Sequence, residues 1–161
     1  MECGELLEHV RAGRKEWDEL IASVPKDQVE VPVWADGWSV KDIVSHVGFY
    51  ENWAAEFIRT ERWADDDPML HHADMDTRND AYYERNKDRS LEDVLAEEER
   101  IHQGMLTAIN GLGEDDFRSR ERDGTPSAGD ARPISEIVLG NTSQHWSQHA
   151  VDIRNWLEAA R

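Results

Sequence analysis

Residues 144–149 read Gln144-His145-Trp146-Ser147-Gln148-His149, within a final segment, 131–161, that has helical periodicity. On a helix, residues four apart lie on one face, so His145 and His149 can direct their rings at one point. The same face carries other residues at steps of three and four: Ile134, Val138, Asn141, Asp152, Ile153 and Trp156. The histidine pair is therefore expected to face the interior, where it forms half of a metal site if the rest of the chain supplies the other half.

Three earlier segments have the same amphipathic spacing. With the final segment, the predicted helices span 3–24, 39–60, 90–112 and 133–161. Pro25 ends the first, Ser39 and Ser90 cap the second and third, and Pro133 suits the first turn of the fourth. The sequence therefore predicts an all-α fold, a four-helix bundle in which residues 1–161 form a single domain.

Two connections separate these helices. The acidic crossover 61–89 is predicted to contain a short helix at 74–88 that lies across the bundle. Residues 113–132 are rich in Gly, Ser, Pro and charge, which predicts a loop. Residues 29–33 alternate like a strand, but proline interrupts them, so no strand is expected.

Composition excludes several classes of partner. The 161 residues carry 18 basic and 35 acidic side chains, a formal charge of −17, so neither nucleic acid nor an anionic membrane is an expected partner. With Cys3 as its single cysteine, the chain can form no internal disulfide and no cysteine-based zinc site. No signal peptide or membrane-spanning stretch is evident. These features are typical of a cytoplasmic protein.

A third histidine, His46, lies at the edge of the apolar stripe of the second predicted helix. Together with His145 and His149 it offers three neutral imidazoles, a good ligand set for one divalent metal ion, with zinc or nickel as first candidates. Three protein ligands leave an open coordination position, which is the catalytic rather than the structural pattern. Such a site can activate water or a thiol.

Other histidines fit this site less well. His9 lies on a mixed face, and His71 and His72 lie in the acidic crossover, where solvation is expected. His102 competes, because it lies near the inward stripe of its helix. Its Glu-x-x-His motif (99–102) can serve a di-iron centre, but no second copy is present. His102 is therefore expected to form a pocket wall or to bond across the bundle.

Several residues are expected around the three histidines. Asp152 follows His149 by three positions, so its carboxylate can accept the second N–H of an imidazole, or alternatively form a salt bridge at the end of the bundle. Seven tryptophans against three phenylalanines suggest an aromatic-lined cavity. The predicted pocket residues, in addition to His102, are Trp38, Tyr50, Trp53 and Trp146.

These motifs resemble those of the DinB/YfiT-like superfamily of four-helix bundles. Trp38-Ser39-Val40-Lys41-Asp42-Ile43-Val44-Ser45-His46-Val47 is similar to its second-helix signature, which ends in a metal-ligand histidine. Residues 145–153 are similar to its last-helix His-x-x-x-His. Residues 74–86 resemble the crossover of the ClbS/DfsB-like branch. Nearly the whole chain is covered, and the two histidine motifs are specific in combination.

The resemblance implies one divalent metal held by His46, His145 and His149, an up-down-down-up bundle and often a homodimer. Superfamily members include mycothiol-dependent maleylpyruvate isomerase and transferases that use low-molecular-weight thiols. The ClbS-like branch includes proteins that open the cyclopropane of a genotoxin. One mycothiol-using branch has Glu in place of the middle histidine, so His145 counts against that particular isomerase reaction.

Three functions remain open from the sequence. The first is a metal-dependent enzyme that acts on a small electrophile by thiol transfer or hydrolysis. The second is a protein that sequesters a small toxic molecule without turnover. The third is a structural bundle whose histidines are merely buried. Metal content distinguishes the third from the others, and turnover with thiols distinguishes the first from the second.

Overall fold

The computed structural model describes residues 1–63 and 74–159. These ranges form helices α1 (Cys3–Ser23), α2 (Val40–Thr60), α3 (Met75–Asn86), α4 (Leu91–Gly111), α5 (Glu114–Asp123), α6 (Ile134–Asn141) and α7 (Ser143–Ala159), with a 3-10 turn at Pro126–Ala128. The described residues contain no strand, only single bridges that pair Pro32 with Ser39 and Thr125 with Asp130. The predicted all-α bundle is confirmed.

Helix α2 is the central element of the bundle. It packs along most of α4 and also against α6 and α3, while α1 packs along α7. Every residue from Val40 to Gly48 is buried, because α2 has neighbours on nearly all sides. The core around it is formed by fully buried side chains, namely Leu6, Val10, Ile43, Val47, Phe57, Met105, Ile109, Ile137 and Ile153.

The start of α2 is fixed by reciprocal capping. The backbone N–H of Asp42 donates to Ser39 Oγ at 3.4 Å, and the backbone N–H of Ser39 donates to Asp42 Oδ2 at 2.9 Å. These bonds satisfy two donors that a helix end otherwise leaves unpaired. The predicted cap is therefore present, and it sets the register that places His46 in the bundle.

The crossover contains the predicted short helix, α3. Asp74 caps it by accepting the backbone N–H of Thr77 at 2.8 Å. Its inner face bonds to α2, since the Tyr82 hydroxyl donates to the Ser45 carbonyl at 3.0 Å. Helix α3 therefore covers α2 near His46. The prediction that His71 and His72 are solvated lies outside the described residues.

The prediction of a loop over 113–132 is wrong, because residues 114–123 form α5. Its charges suit a helix: acidic residues occupy the first turn, and Arg120 and Arg122 occupy the last, which complements the helix dipole. Phe117 is fully buried, and Arg120 donates to the Ile58 carbonyl at 3.0 Å. Two inward residues thus anchor a segment whose composition is typical of a loop.

The prediction of one continuous final helix is also wrong. It is divided at Thr142, whose backbone leaves the helical region with φ −128° and ψ −107°. The Thr142 hydroxyl donates to the Val138 carbonyl at 2.8 Å, and Gly140 and Asn141 before it are weak helix formers. The result is α6 followed by α7, which carries both histidines. Among the described residues no helix has the length and apolar character needed to cross a membrane.

Candidate metal centre

The three predicted histidines come from two helices. His46 is 5% exposed on α2, in the fully buried stretch of that helix. His145 and His149 are half-buried on α7, one helical turn apart. Because α7 begins at Ser143, both lie in its first two turns, beyond the break at Thr142.

The structure brings their Nε2 atoms together. His145 Nε2 lies 3.2 Å from His46 Nε2 and 3.1 Å from His149 Nε2. One nitrogen from each ring falls within 4.8 Å of the others, and no other group of three potential ligands in residues 1–63 and 74–159 meets this criterion. The convergence expected from the sequence is therefore observed, whereas the assignment of these rings as metal ligands stays a prediction.

The contacts at His145 are difficult to satisfy with hydrogens alone. A neutral imidazole nitrogen that lacks a hydrogen has one lone pair, so His145 Nε2 can accept only one of its two neighbours. The Nδ1 atoms of all three rings are buried without a hydrogen-bond partner among the described protein atoms. A cation that accepts one lone pair from each of the three Nε2 atoms removes the conflict at His145 Nε2 and leaves the ring hydrogens on Nδ1. The donor set therefore fits a divalent metal ion.

Burial keeps these rings neutral, as metal binding requires. Burial together with the neighbouring imidazoles lowers the pKa of His46 from 6.5 to about 2, and that of His145 to about 3. Burial also lowers the pKa of His149, although Asp152 opposes the shift. The three nitrogens are thus available as lone-pair donors at neutral pH.

Asp152 lies near His149, as the sequence indicated. Its Oδ2 is 3.8 Å from His149 Nδ1, which is too far for a hydrogen bond but close enough for an electrostatic contact. The carboxylate is 43% exposed and the His149 side chain 15% exposed. Asp152 therefore influences His149 electrostatically in this structure, and a direct orienting bond stays a prediction.

Two of the predicted pocket residues lie directly beside the cluster. The Trp38 ring centroid is 5.4 Å from that of His46, and the Tyr50 centroid is 5.0 Å from His46 and 5.4 Å from His145. Trp34, which the sequence did not indicate as a site residue, has its ring centroid 5.6 Å from that of His149. Trp34 precedes α2 in a connection without periodicity, so no spacing pattern could place it.

The remaining predicted pocket residues lie farther away. Trp53 contacts Tyr50 at 6.0 Å and Trp63 at 4.4 Å between centroids, so it forms a second ring layer. Trp146 is 1% exposed and packs near Gly13 of α1 instead. Its ring approaches that of His102 at 5.8 Å. It serves the α1–α7 contact, because it points away from the face shared by the two α7 histidines.

His102 bonds across the bundle, which is one of its two expected roles. Its Nδ1 lies 2.9 Å from Oε1 of Glu51, a fully buried carboxylate on α2. Beside them, Arg14 Nη2 donates to Glu98 Oε2 at 2.7 Å. We call Arg14, Glu51, Glu98 and His102 the charged cluster. It joins α1, α2 and α4, and its two buried glutamates were not anticipated from the sequence.

Comparison with known proteins gives the family. The family model described as the mycothiol maleylpyruvate isomerase N-terminal domain matches residues 10–154. The chain belongs to this family. It is therefore a member of the DinB-like superfamily that the histidine motifs resembled, while the likeness to the ClbS/DfsB-like branch stays a prediction. No curated protein matches the chain.

Solved structures show the same fold. An uncharacterised protein from Escherichia coli UTI89 superposes with a TM-score of 0.76 at 16% identity, covering 99% of this chain and 94% of that one. A histidine-to-alanine variant of mycothiol-dependent maleylpyruvate isomerase gives a TM-score of 0.66 at 16% identity. That match covers 95% of this chain and 61% of the isomerase chain. The family and the histidine cluster are compatible with a metal-dependent enzyme.

Proposed function

We propose that this protein is a metal-dependent enzyme that acts on a small electrophilic substrate by thiol transfer or hydrolysis. The single observation that carries the proposal is the convergence of the three Nε2 atoms of His46, which is buried, and of His145 and His149, which are half-buried. In this proposal the three rings hold one divalent ion, with zinc or nickel as first candidates. Residues 1–161 act as one domain.

The ligand set determines the chemistry that such an ion can supply. Three imidazoles leave at least one position open, where a divalent ion acts as a Lewis acid toward a bound thiol or water. A low-molecular-weight thiol is the favoured co-substrate, because the family is named for a mycothiol-dependent domain. The protein supplies the rest: burial keeps the imidazoles neutral, and the aromatic rings around them exclude water.

The setting of the reaction is also proposed. The charge of −17 supports a small-molecule substrate rather than nucleic acid or an anionic membrane. A cytoplasmic location fits the single cysteine, Cys3. Members of the superfamily often form homodimers, and we propose the same here.

Metal content and metal-dependent stability test the proposal. Protein purified without an affinity tag is analysed for zinc, nickel, iron, manganese and cobalt, then stripped and titrated with zinc or nickel. A ligand that binds only the folded state at about a thousandfold above its Kd raises the unfolding free energy by about 4 kcal/mol. We expect His46→Ala to abolish this gain, because it removes one of three ligands.

His9→Ala is the matched control. His9 is exposed on α1, and its Nδ1 lies 2.8 Å from the Glu5 carbonyl, so its loss leaves the metal response intact. Protein that carries no metal and gains no stability from zinc or nickel contradicts the proposal. A screen of low-molecular-weight thiols with electrophiles then tests turnover, which is expected only in the metal-loaded protein.

A further inference from the structure

Three aromatic rings, those of Tyr50, Trp34 and Trp38, border the histidine cluster. Tyr50 contacts His46 and His145, as described above. Trp34 contacts His149, with centroids 5.6 Å apart, and Trp38 contacts His46 at 5.4 Å. The two indoles lie 5.7 Å from each other. Each of the three histidines therefore has an aromatic neighbour, and the two indoles form a continuous apolar surface from His46 to His149.

Trp34 is held in place by a tight turn. The Gly37 N–H donates to the Trp34 carbonyl at 3.1 Å, and the Val33 N–H donates to the Trp38 carbonyl at 2.7 Å. Gly37 has φ +99°, a conformation that a residue with a side chain rarely adopts. These bonds close the loop 33–38 and hold one indole beside His149. Residues that bind ligands are often carried on such loops.

The two indoles differ in burial. Trp38 is 5% exposed and stacks on Tyr83 of α3, with centroids 5.1 Å apart and planes inclined by 16°. Trp38 is therefore a core residue of the α2–α3 contact. Trp34 is half-buried, so the core does not enclose it completely, and its ring lies beside His149. Core packing accounts for the first indole but leaves part of the second available to a ligand.

We propose that Trp34 is a specificity residue that selects substrates whose reactive end is joined to a flat aromatic or conjugated group. The flat group stacks against the accessible indole while the polar end reaches the position defined by the three Nε2 atoms. Aromatic stacking of this kind contributes about a tenfold gain in affinity. The inference rests on the proposed metal site, since the metal fixes where the polar end of the substrate lies.

Binding of two small metal chelators to the cobalt-loaded protein tests the inference without any assay of turnover. Benzohydroxamate and acetohydroxamate carry the same metal-binding group, but only the first has an aromatic ring. Their Kd values are measured from the visible absorption bands of bound Co²⁺. The ratio of the two Kd values is compared between variants, which cancels the intrinsic difference between the chelators. We expect Trp34→Leu to reduce the wild-type preference for benzohydroxamate about tenfold, and Trp34→Phe to restore part of it.

Trp156→Leu is the matched control, because Trp156, like Trp34, is half-buried and packs against the core, but among the described residues no ring contact joins it to a histidine of the cluster. It should leave the ratio unchanged. An unchanged ratio in Trp34→Leu overturns the inference, as does a loss of both chelators together with weaker cobalt binding, which indicates a purely structural role. Failure of the wild-type protein to bind Co²⁺ at all is a different result, since it overturns the proposed metal site itself.

Discussion

The bundle buries two polar clusters, and they differ in how their charges are satisfied. In the charged cluster, Arg14 donates to Glu98 at 2.7 Å and the His102 ring lies 2.9 Å from Glu51, so each basic side chain has a carboxyl partner inside the protein. In the histidine cluster, three neutral rings direct nitrogen atoms at one another, and no carboxylate of residues 1–63 or 74–159 lies in hydrogen-bond range of them. Both clusters include α2, and both are largely removed from water.

The difference indicates two roles. A buried ion pair joins helices and needs no ligand, although desolvation offsets much of its Coulomb energy. Among the described residues, one buried atom each of Arg14, Glu51 and Glu98 has no hydrogen-bond partner. A cluster of converging lone pairs is stable only with hydrogens or a cation between them. The charged cluster is therefore expected to determine stability whether or not metal is present. The histidine cluster is expected to gain stability from metal.

Removing the cation of the charged cluster has the largest expected effect. Arg14→Met leaves Glu98 buried without its guanidinium partner, and breaking a buried pair in this way costs about 3–5 kcal/mol. Urea unfolding of the wild type and of the variant measures this loss in unfolding free energy. The loss should be the same when both proteins are metal-free as when both are metal-loaded. Arg122→Met is the control, because Arg122 pairs with Asp123 on the exposed surface. A loss below 1 kcal/mol would show that the cluster is not a stabilising contact.

Gly13→Ala connects stability to the histidine cluster. A Cβ at Gly13 would lie 2.6 Å from Ser143 Cβ and 3.1 Å from its Cα, at the start of α7. Overpacking of this kind costs about 1–3 kcal/mol, and relief requires α7 to move away from α1. Since α7 carries His145 and His149, we expect weaker metal binding as well as lower stability. Urea unfolding and metal titration of one sample measure both.

Gly104→Ala serves as the control for that substitution. Gly104 lies within α4, and the nearest atom to its added Cβ is Arg59 Nη1 at 3.8 Å, an ordinary contact. Alanine is the better helix former by about 0.5–1 kcal/mol, so this variant should be slightly more stable. Normal metal affinity in Gly13→Ala would show that α7 can move without disturbing the histidines.

The two clusters are expected to respond to pH in opposite directions. Burial, partly offset by Arg14, raises the pKa of Glu98 from 4.5 to about 7. The contribution of Glu98 to the free energy of unfolding is therefore fully present below pH 4.5 and is lost as pH rises through 7. Burial lowers the pKa of His46 and His145 from 6.5, so their contribution is present above pH 6.5 and is lost as pH falls toward 3. Each group contributes a slope of about 1.4 kcal/mol per pH unit.

Glu98→Gln isolates one of these slopes in metal-free protein. The neutral amide does not titrate, so the variant should gain stability relative to the wild type as pH rises from 4.5 to 7. Unfolding free energies measured across that range give the difference, and the histidine slope cancels because both proteins contain it. Parallel curves for the two proteins would mean that Glu98 titrates at its ordinary pKa.

The sequence was sufficient for features that depend on periodicity and caps. Apolar spacing and the residues Ser39 and Ser90 located the main helices, and the four-residue spacing of His145 and His149 identified a common face. The position of His46 at the edge of the apolar stripe of α2 followed in the same way. These are local rules, and each acts through neighbouring turns of one helix.

Features set by tertiary contacts could not be predicted in this way. Charged residues are usually exposed, so nothing indicated that Glu51 and Glu98 are buried. The break at Thr142 depends on a side-chain bond to the backbone, and Trp34 reaches His149 through a turn rather than a repeat. The composition of residues 113–132 predicts a loop, although the order of their charges suits helix α5. In each case the missing information is which distant residue lies opposite.

The smallest expected effect concerns the one acid near the histidine cluster. Asp152 Oδ2 lies 3.8 Å from His149 Nδ1, outside hydrogen-bond range, whereas carboxylates that orient metal-binding imidazoles accept a direct hydrogen bond. If metal binding draws the two together, Asp152→Asn should weaken metal affinity about tenfold, the low end of the effect of such partners.

If Asp152 acts only as a half-exposed charge, high salt should screen its effect in the wild type. Metal titration of wild type and Asp152→Asn at low and high salt distinguishes the two: a difference that persists at high salt indicates a formed bond. A difference in metal affinity that disappears at high salt leaves the three imidazoles as the whole of the binding site. The contrast with the charged cluster is then sharper, because there the guanidinium of Arg14 and the ring of His102 each have an acidic partner.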